Sequence, residues 1–320
     1  MYLPQVIMIF TIGLGCTALL TAVLIPYFKN RQFKQFVRKV GPKSHLKKDG
    51  TPTMGGIAIF IGLTMGILLD GRMDETTMLL ILVTLAFATI GFIDDYYKVI
   101  RKNNLGLKAW QKFGMQTLVA IGFAFYMANM TEGGTSVWVP FADKFVDFGI
   151  LYIPFIIFVV LAVTNSVNLT DGLDGLASGV TLIVALTFSL IALNIGNDYM
   201  TVAMAATAGA CGGFLIHNKY PAKIFMGDTG SLGLGGAIVA AAVIMKMELL
   251  IPIVGLIYVL EAVSVILQVG YFKASGGKRI FKMAPLHHHF ELSGMKEQKV
   301  VLMFWSATLI CAILAYIIAV

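Results

Sequence analysis

The sequence predicts an all-α integral membrane protein of about ten transmembrane helices, carrying a small extracytoplasmic β-hairpin. Three observations predict it. Hydrophobic residues make up 58% of the 320 residues and charged residues 13%, whereas soluble domains average roughly 45–50% and about 25%. The mean hydropathy is +0.84, and apolar runs able to cross about 30 Å of hydrocarbon recur along the whole chain instead of forming one anchor. When those runs alternate in direction, every one of the 24 Lys and Arg residues except Arg72, Lys144 and Lys246 falls on one side.

The runs lie near residues 3–26, 54–70, 76–93, 113–130, 149–166, 177–195, 199–216, 231–247, 249–270 and 300–319, and they read as one polytopic domain over 1–320. The first run lacks the basic flank and small-residue cleavage site of a removable leader, so it reads as the first span. An excess of Lys and Arg marks cytoplasmic loops, so the basic side is expected to be cytoplasmic and both termini outside. The net charge of +7 follows from that bias and from attraction to anionic lipid, which argues against nucleic-acid binding. Residues 135–148 alternate apolar and polar side chains about Ala142-Asp143-Lys144, as a hairpin does. The abundance of glycine, 33 residues, suits close helix packing in lipid. Trp110, Trp138 and Trp305 fall near expected interfaces, where they read as anchors. Cys16, Cys211 and Cys311 lie in apolar runs without metal-ligand spacing and read as small buried hydrophobes.

Carboxylates are costly near lipid and mark function when they recur there. Asp94 and Asp95 are about 100° apart on a helix, so they can divide two tasks at one site, or they end a span with Lys98 pairing to Asp94 one turn on. Asp171 and Asp174, three apart, are expected on one helical face, with Gly172 and Gly175 admitting a ligand to the backbone. The nearby Asn165, Ser166, Asn168 and Thr170 serve that site or cap a helix. Asp228 sits between Gly227 and Gly230 before a span whose N-terminus offers amide donors, suiting phosphate or Mg²⁺, with helix capping as the alternative. His287, His288 and His289 diverge around a helix and lack zinc spacing; they either meet a diphosphate or lie in a solvated loop. Gly50–Gly56, with Lys47 and Lys48 before it, is helix punctuation or part of a substrate site. Glu261 is expected deep in the ninth span, half a membrane from the other acids, in a structural role outside catalysis. The acidic loops share the basic side, so they are expected to form one metal- and phosphate-binding site facing the cytoplasm.

Gly50–Gly56, Asp94-Asp95, Asn165–Gly175, Asn218–Ser231 and Pro285–Glu291, taken in order, resemble the signatures of the phospho-N-acetylmuramoyl-pentapeptide transferase family, within the polyprenyl-phosphate sugar-phosphate transferases. The resemblance covers the whole chain. It implies Mg²⁺-dependent transfer of phospho-MurNAc-pentapeptide from UDP-MurNAc-pentapeptide to undecaprenyl phosphate, giving lipid I and UMP, by a homodimer in the bacterial cytoplasmic membrane and its lipid. It assigns Asp228 to Mg²⁺ and Asp94 and Asp95 to the phosphates. Lys48, Asn168, Gly172, Asp174 and Phe225 then lie near the nucleoside, with Phe225 beside the uracil. Thr53, Asp171, Asn218, Gln268 and His288 belong to the wider cleft, where His287 and His289 also meet substrate. Lys98 and Lys112 add positive charge beside Asp228. Asp94, Asp95, Lys98, Asp228 and His288 form the expected catalytic set. A phosphate monoester is mostly dianionic at neutral pH, so direct in-line attack is expected in preference to an aspartyl-phosphate. A sister enzyme moving GlcNAc-1-phosphate would lack the Pro285–Glu291 segment in this form, and a transporter would place its acids near midplane on broken helices.

Overall fold

A computed structural model of the protein describes residues 3–31, 33, 48, 50–101 and 105–320. Lys47 and most of the first basic loop lie outside the described residues. Twelve helices and one hairpin follow in the order α1 (Leu3–Asn30), α2 (Gly56–Asp70), α3 (Glu75–Arg101), α4 (Ala109–Met130), β1 (Ser136–Val139), β2 (Lys144–Asp147), α5 (Tyr152–Thr170), α6 (Leu176–Asn194), α7 (Asp198–Asn218), α8 (Gly227–Ile244), α9 (Ile251–Val254), α10 (Leu256–Ala274), α11 (Leu286–Leu292) and α12 (Glu297–Ala319). Among the described residues, nine helices are long and apolar enough to cross a membrane, and α2 is a tenth apolar helix of 15 residues. At 1.5 Å per residue α2 spans about 22 Å, short of the hydrocarbon thickness. The chain is an all-α multi-pass membrane protein.

Caps set several boundaries. Asp74 Oδ1 accepts from Thr77 N at 2.8 Å before α3, and Asn197 Oδ1 accepts from Met200 N at 3.0 Å before α7. Gly71, with φ +76°, ends α2 in the left-handed conformation. The ninth expected span is interrupted at Gly255, which separates α9 from α10.

The interior is built on α7 and α8, whose small residues let neighbours close to backbone distance. The broadest packing joins α3 to α8 and α1 to α7, followed by α6 to α7. At Gly91 of α3 a β-carbon would collide with the Asp228 carbonyl of α8. Glycine therefore sets the separation of the two helices at the level where Asp94 and Asp95 meet Asp228.

Connectivity brings the end of α3, the start of α4, the α5–α6 turn, the start of α8 and the start of α12 to one end of the bundle. Phe33 accepts from Thr53 N at 3.1 Å after α1, and Glu297 at the start of α12 accepts from Asp174 N at 2.9 Å. Leu3 and Ala319 consequently lie at the other end.

That other end carries the hairpin, with Ser136 opposite Asp147 and Val139 opposite Lys144. Trp138 is buried there rather than anchoring an interface, its Nε1 donating to Asp143 at 3.2 Å. Trp305 likewise packs onto Gly179 of α6, whose bare Cα admits the indole. Lys246 ties the hairpin down by donating to the Gly134 carbonyl at 2.5 Å and the Tyr152 hydroxyl at 3.1 Å. Next to it, both carboxyl oxygens of Glu248 are buried with no hydrogen-bond partner among the described residues. Burial pushes the Glu248 carboxyl up to about 8, against which its own backbone N–H and Lys246 act weakly. An acid with a raised folded-state pKa binds its proton more tightly in the native state, so stability falls as pH rises from the ordinary carboxylate range toward 8. Thermal melts of Glu248→Gln should therefore exceed wild type near pH 8 and converge with it at about pH 5.

Candidate active site

Three carboxylates from two helices meet at the basic end. Asp94, Asp95 and Asp228 each offer an oxygen, and these atoms lie within 4.8 Å of one another. The angular divergence of the adjacent pair gives the two acids different hydrogen-bond partners, while Lys98 Nζ is shared at 2.6 Å from Asp94 and 3.6 Å from Asp95. Asp94 Oδ1 accepts from Leu107 N at 2.7 Å, and its Oδ2 lies 2.6 Å from Lys98 Nζ. Asp95 instead caps α8: Oδ1 accepts from Asp228 N at 3.1 Å, and Oδ2 accepts from Thr229 N at 2.9 Å and Thr229 Oγ1 at 2.8 Å. The first amides of α8, expected from sequence to be open to a phosphate, are thus partly taken by Asp95. Gly227 makes this approach feasible, because φ is +71° and a β-carbon would strike the Asp95 carboxylate.

Asp228 is the most exposed of the three. Its Oδ2 lies 2.7 Å from Lys112 Nζ and 3.1 Å from Lys98 Nζ, and its Oδ1 accepts from Asn168 Nδ2 at 3.1 Å. Asn168 Nδ2 also donates to Ser231 Oγ at 2.8 Å. Among the described residues, two ammonium groups therefore face three carboxylates, leaving an acidic surplus of hard oxygen donors, the kind that Mg²⁺ prefers. Since Asp95 is committed to α8, Asp228 and Asp94 are the residues able to hold a divalent ion.

The Asp171–Gly175 segment is a turn, which corrects the expectation of a shared helical face. Helix α5 ends at Thr170, and Gly175 at φ +79° turns the chain into α6. Asp171 borders the cleft, and burial followed by the charges of Asp228, Asp95 and Asp174 raises its carboxyl well above the usual range. Asp174 points elsewhere, its Oδ1 lying 2.6 Å from Lys48 Nζ and its Oδ2 accepting from Ala222 N at 2.9 Å. Lys48 Nζ also lies 2.5 Å from Glu297 Oε1. Burial opposes the charge on this lysine, but Glu297 and Asp174 outweigh it and raise its pKa. The three groups line a cavity of about 430 Å³ together with Tyr220, Glu291 and Lys296. Glu297 was missed in the sequence, although an acid at the start of a span on the basic side carries the same signal as Asp94.

Thr53 is buried, its hydroxyl beside Gly227. Phe225 is half-buried and joined to the Pro52–Gly55 turn, donating to Pro52 O at 2.8 Å and accepting from Gly55 N at 2.9 Å. Asn218 is buried and braces the turn before α6, accepting from Gly175 N at 3.1 Å and Ser178 Oγ at 3.0 Å while donating to Ile224 O at 2.9 Å. Gln268 similarly holds the 280–281 backbone, accepting from Phe281 N at 2.9 Å and donating to its carbonyl at 3.1 Å. The three histidines diverge on α11: His287 is buried against Glu261, His288 Nδ1 lies 3.1 Å from Glu291, and His289 Nδ1 accepts from Lys282 N at 3.1 Å. Glu261 is therefore not remote from the site, because His287 links it to Gly172. The loop after α10 brings α11 back onto it.

Residues 77–246 match the model of glycosyl transferase family 4, and residues 48–60 match signature 1 of phospho-N-acetylmuramoyl-pentapeptide-transferase. A phospho-N-acetylmuramoyl-pentapeptide-transferase of Acetivibrio thermocellus is 49% identical over 313 residues, covering 97% of this chain and 94% of the relative. The chain belongs to the phospho-N-acetylmuramoyl-pentapeptide-transferase family. Members from Clostridioides difficile (48% over 291 residues, 91% of this chain and 90% of the relative) and Thermoanaerobacter pseudethanolicus (50% over 294 residues, 92% of each) agree. The family model spans the three clustered acids, and the signature spans Lys48, Thr53 and the turn that holds Phe225.

Proposed function

We infer that the protein transfers phospho-MurNAc-pentapeptide from UDP-MurNAc-pentapeptide to undecaprenyl phosphate, yielding lipid I and UMP, the first membrane step of peptidoglycan synthesis. Near-full-length identity to transferases of that name supports the reaction. The single structural observation that carries the chemistry is the convergence of Asp94, Asp95 and Asp228 with Lys98 and Lys112. The basic end of the bundle is the cytoplasmic one, by the charge rule. The working unit is a homodimer in the bacterial cytoplasmic membrane, in contact with its lipid.

Mg²⁺ is the proposed cofactor, held by Asp228 with Asp94 beside it; when bound it neutralises the oxygens of the reacting diphosphate. Phosphoryl transfer is accelerated chiefly by positioning and by compensating negative charge. Lys98 and Lys112 supply fixed positive charge on the same oxygens, and Asn168 orients the Asp228 carboxylate. An oxygen of undecaprenyl phosphate attacks the sugar-bearing phosphorus, the bond from that phosphorus to the bridging oxygen breaks, and UMP leaves with the electron pair. The dianionic acceptor needs no base. Trapping a phosphorylated Asp94 or Asp95 during turnover would refute this direct route.

UMP release by the purified protein tests the reaction. It should require UDP-MurNAc-pentapeptide, polyprenyl phosphate and Mg²⁺ together; release from UDP-GlcNAc instead would assign the sister activity. The half-buried Phe225 ring is the proposed stacking surface for uracil, since aromatic stacking contributes about 1–3 kcal/mol per base. Phe225→Ala should raise the KM for the nucleotide about tenfold or more and leave the KM for the lipid near wild type; an equal rise in both would remove the stacking role.

A further inference from the structure

Glu261 is fully enclosed within α10, where an ionisable side chain is costly and rarely idle. Both of its carboxyl oxygens serve one residue. Oε1 accepts from the backbone N–H of His287 at 3.2 Å, and Oε2 lies 3.0 Å from His287 Nδ1. His287 is 1% exposed, and its other ring nitrogen, Nε2, has no hydrogen-bond partner among the described residues. That nitrogen lies against Gly172, where a β-carbon would overlap it. An unpaired polar atom is therefore buried at the turn that also carries Asp171 and Asp174.

An ionised carboxylate only accepts hydrogen bonds, so opposite Glu261 Oε2 the ring carries its proton on Nδ1. With Nδ1 donating to Glu261, the neutral ring presents Nε2 as a bare acceptor. An orphaned buried N–H is rarer than an unpaired acceptor, which favours the same tautomer. We propose that Glu261 is a positioning residue for substrate binding: it locks His287 in the Nδ1–H tautomer, so that the unprotonated Nε2 packs against Gly172 and holds the Asp171–Gly175 turn in the form that meets the nucleotide. This rests on the reading of Gly172 as part of the nucleotide site.

Glutamine at position 261 gives a sharp test, because it preserves shape while reversing the hydrogen bond. The backbone N–H of His287 can only donate, so it claims the amide oxygen, and the amide NH₂ then faces Nδ1. Nδ1 must become the acceptor and Nε2 the protonated donor. Glu261→Gln should raise the KM for UDP-MurNAc-pentapeptide about tenfold, with kcat within about twofold and a lowered melting temperature, since the Nε2–H it creates is buried against Gly172. Added to His287→Ala, it should cause no further loss, since it acts through that ring. Histidine ¹⁵N shifts should show Nδ1–H in the wild type and Nε2–H in Glu261→Gln. A wild-type KM in Glu261→Gln, full additivity with His287→Ala, or Nε2–H in the wild type would each overturn the proposal. The tautomer measurement needs no turnover, so absence of UMP release from the wild type would refute the functional reading while the shifts still decide the role of Glu261.

Discussion

Replacing Asp228 by Asn is expected to abolish UMP release, by about a thousandfold or more, without loss of folded protein. The substitution keeps the side-chain shape and the contact with Asn168, so packing against α3 is preserved. What disappears is the anion that holds Lys98 and Lys112 at 3.1 and 2.7 Å and that is proposed to hold Mg²⁺. The Asn NH₂ group, facing two ammonium groups, would repel them from the cleft. Turnover within about tenfold of wild type, measured at saturating Mg²⁺, would remove Asp228 from the metal assignment.

Asp95→Ala should be nearly as damaging for a different reason. Asp95 receives three hydrogen bonds from the first turn of α8, and its loss leaves the Asp228 N–H, the Thr229 N–H and the Thr229 hydroxyl without this partner. Each buried group so stranded costs about 1–3 kcal/mol, so destabilisation of several kcal/mol is expected together with displacement of Asp228. The melting temperature should fall along with activity, and raising Mg²⁺ should restore part of the activity. Asp228→Asn should show neither effect. An Asp95→Ala protein with wild-type melting and an activity loss insensitive to Mg²⁺ would instead give Asp95 a direct chemical role.

Much of this was legible in the sequence because hydropathy and charge are local properties. The apolar runs gave the helices, and alternation placed Asp94, Asp171 and Asp228 at one end before any contact was known. The 100° divergence of Asp94 and Asp95 foretold their separate hydrogen-bond partners. What sequence reading could not reach were the partners themselves. Asp95 belongs to the amides of a helix 133 residues away, and no pattern around it announces that. The Asp171–Asp174 spacing fits a helix, but Gly175 adopts a left-handed conformation and makes a turn instead. The partner of Glu261 was equally out of reach, since it is the return of α11 after α10 that brings His287 to it. Trp138 and Trp305 misled in a similar way: interfacial residues by position, both are taken up by packing.

The central claim is that Asp228 holds the divalent ion against the diphosphate of the donor. Mn²⁺ substituted for Mg²⁺ and followed by electron paramagnetic resonance, with UDP-MurNAc-pentapeptide present, tests it most directly. The account predicts a bound ion in the wild-type protein with resolved coupling to phosphorus, lost in Asp228→Asn. Undiminished Mn²⁺ binding in Asp228→Asn, or a bound ion with no phosphorus coupling, would contradict it.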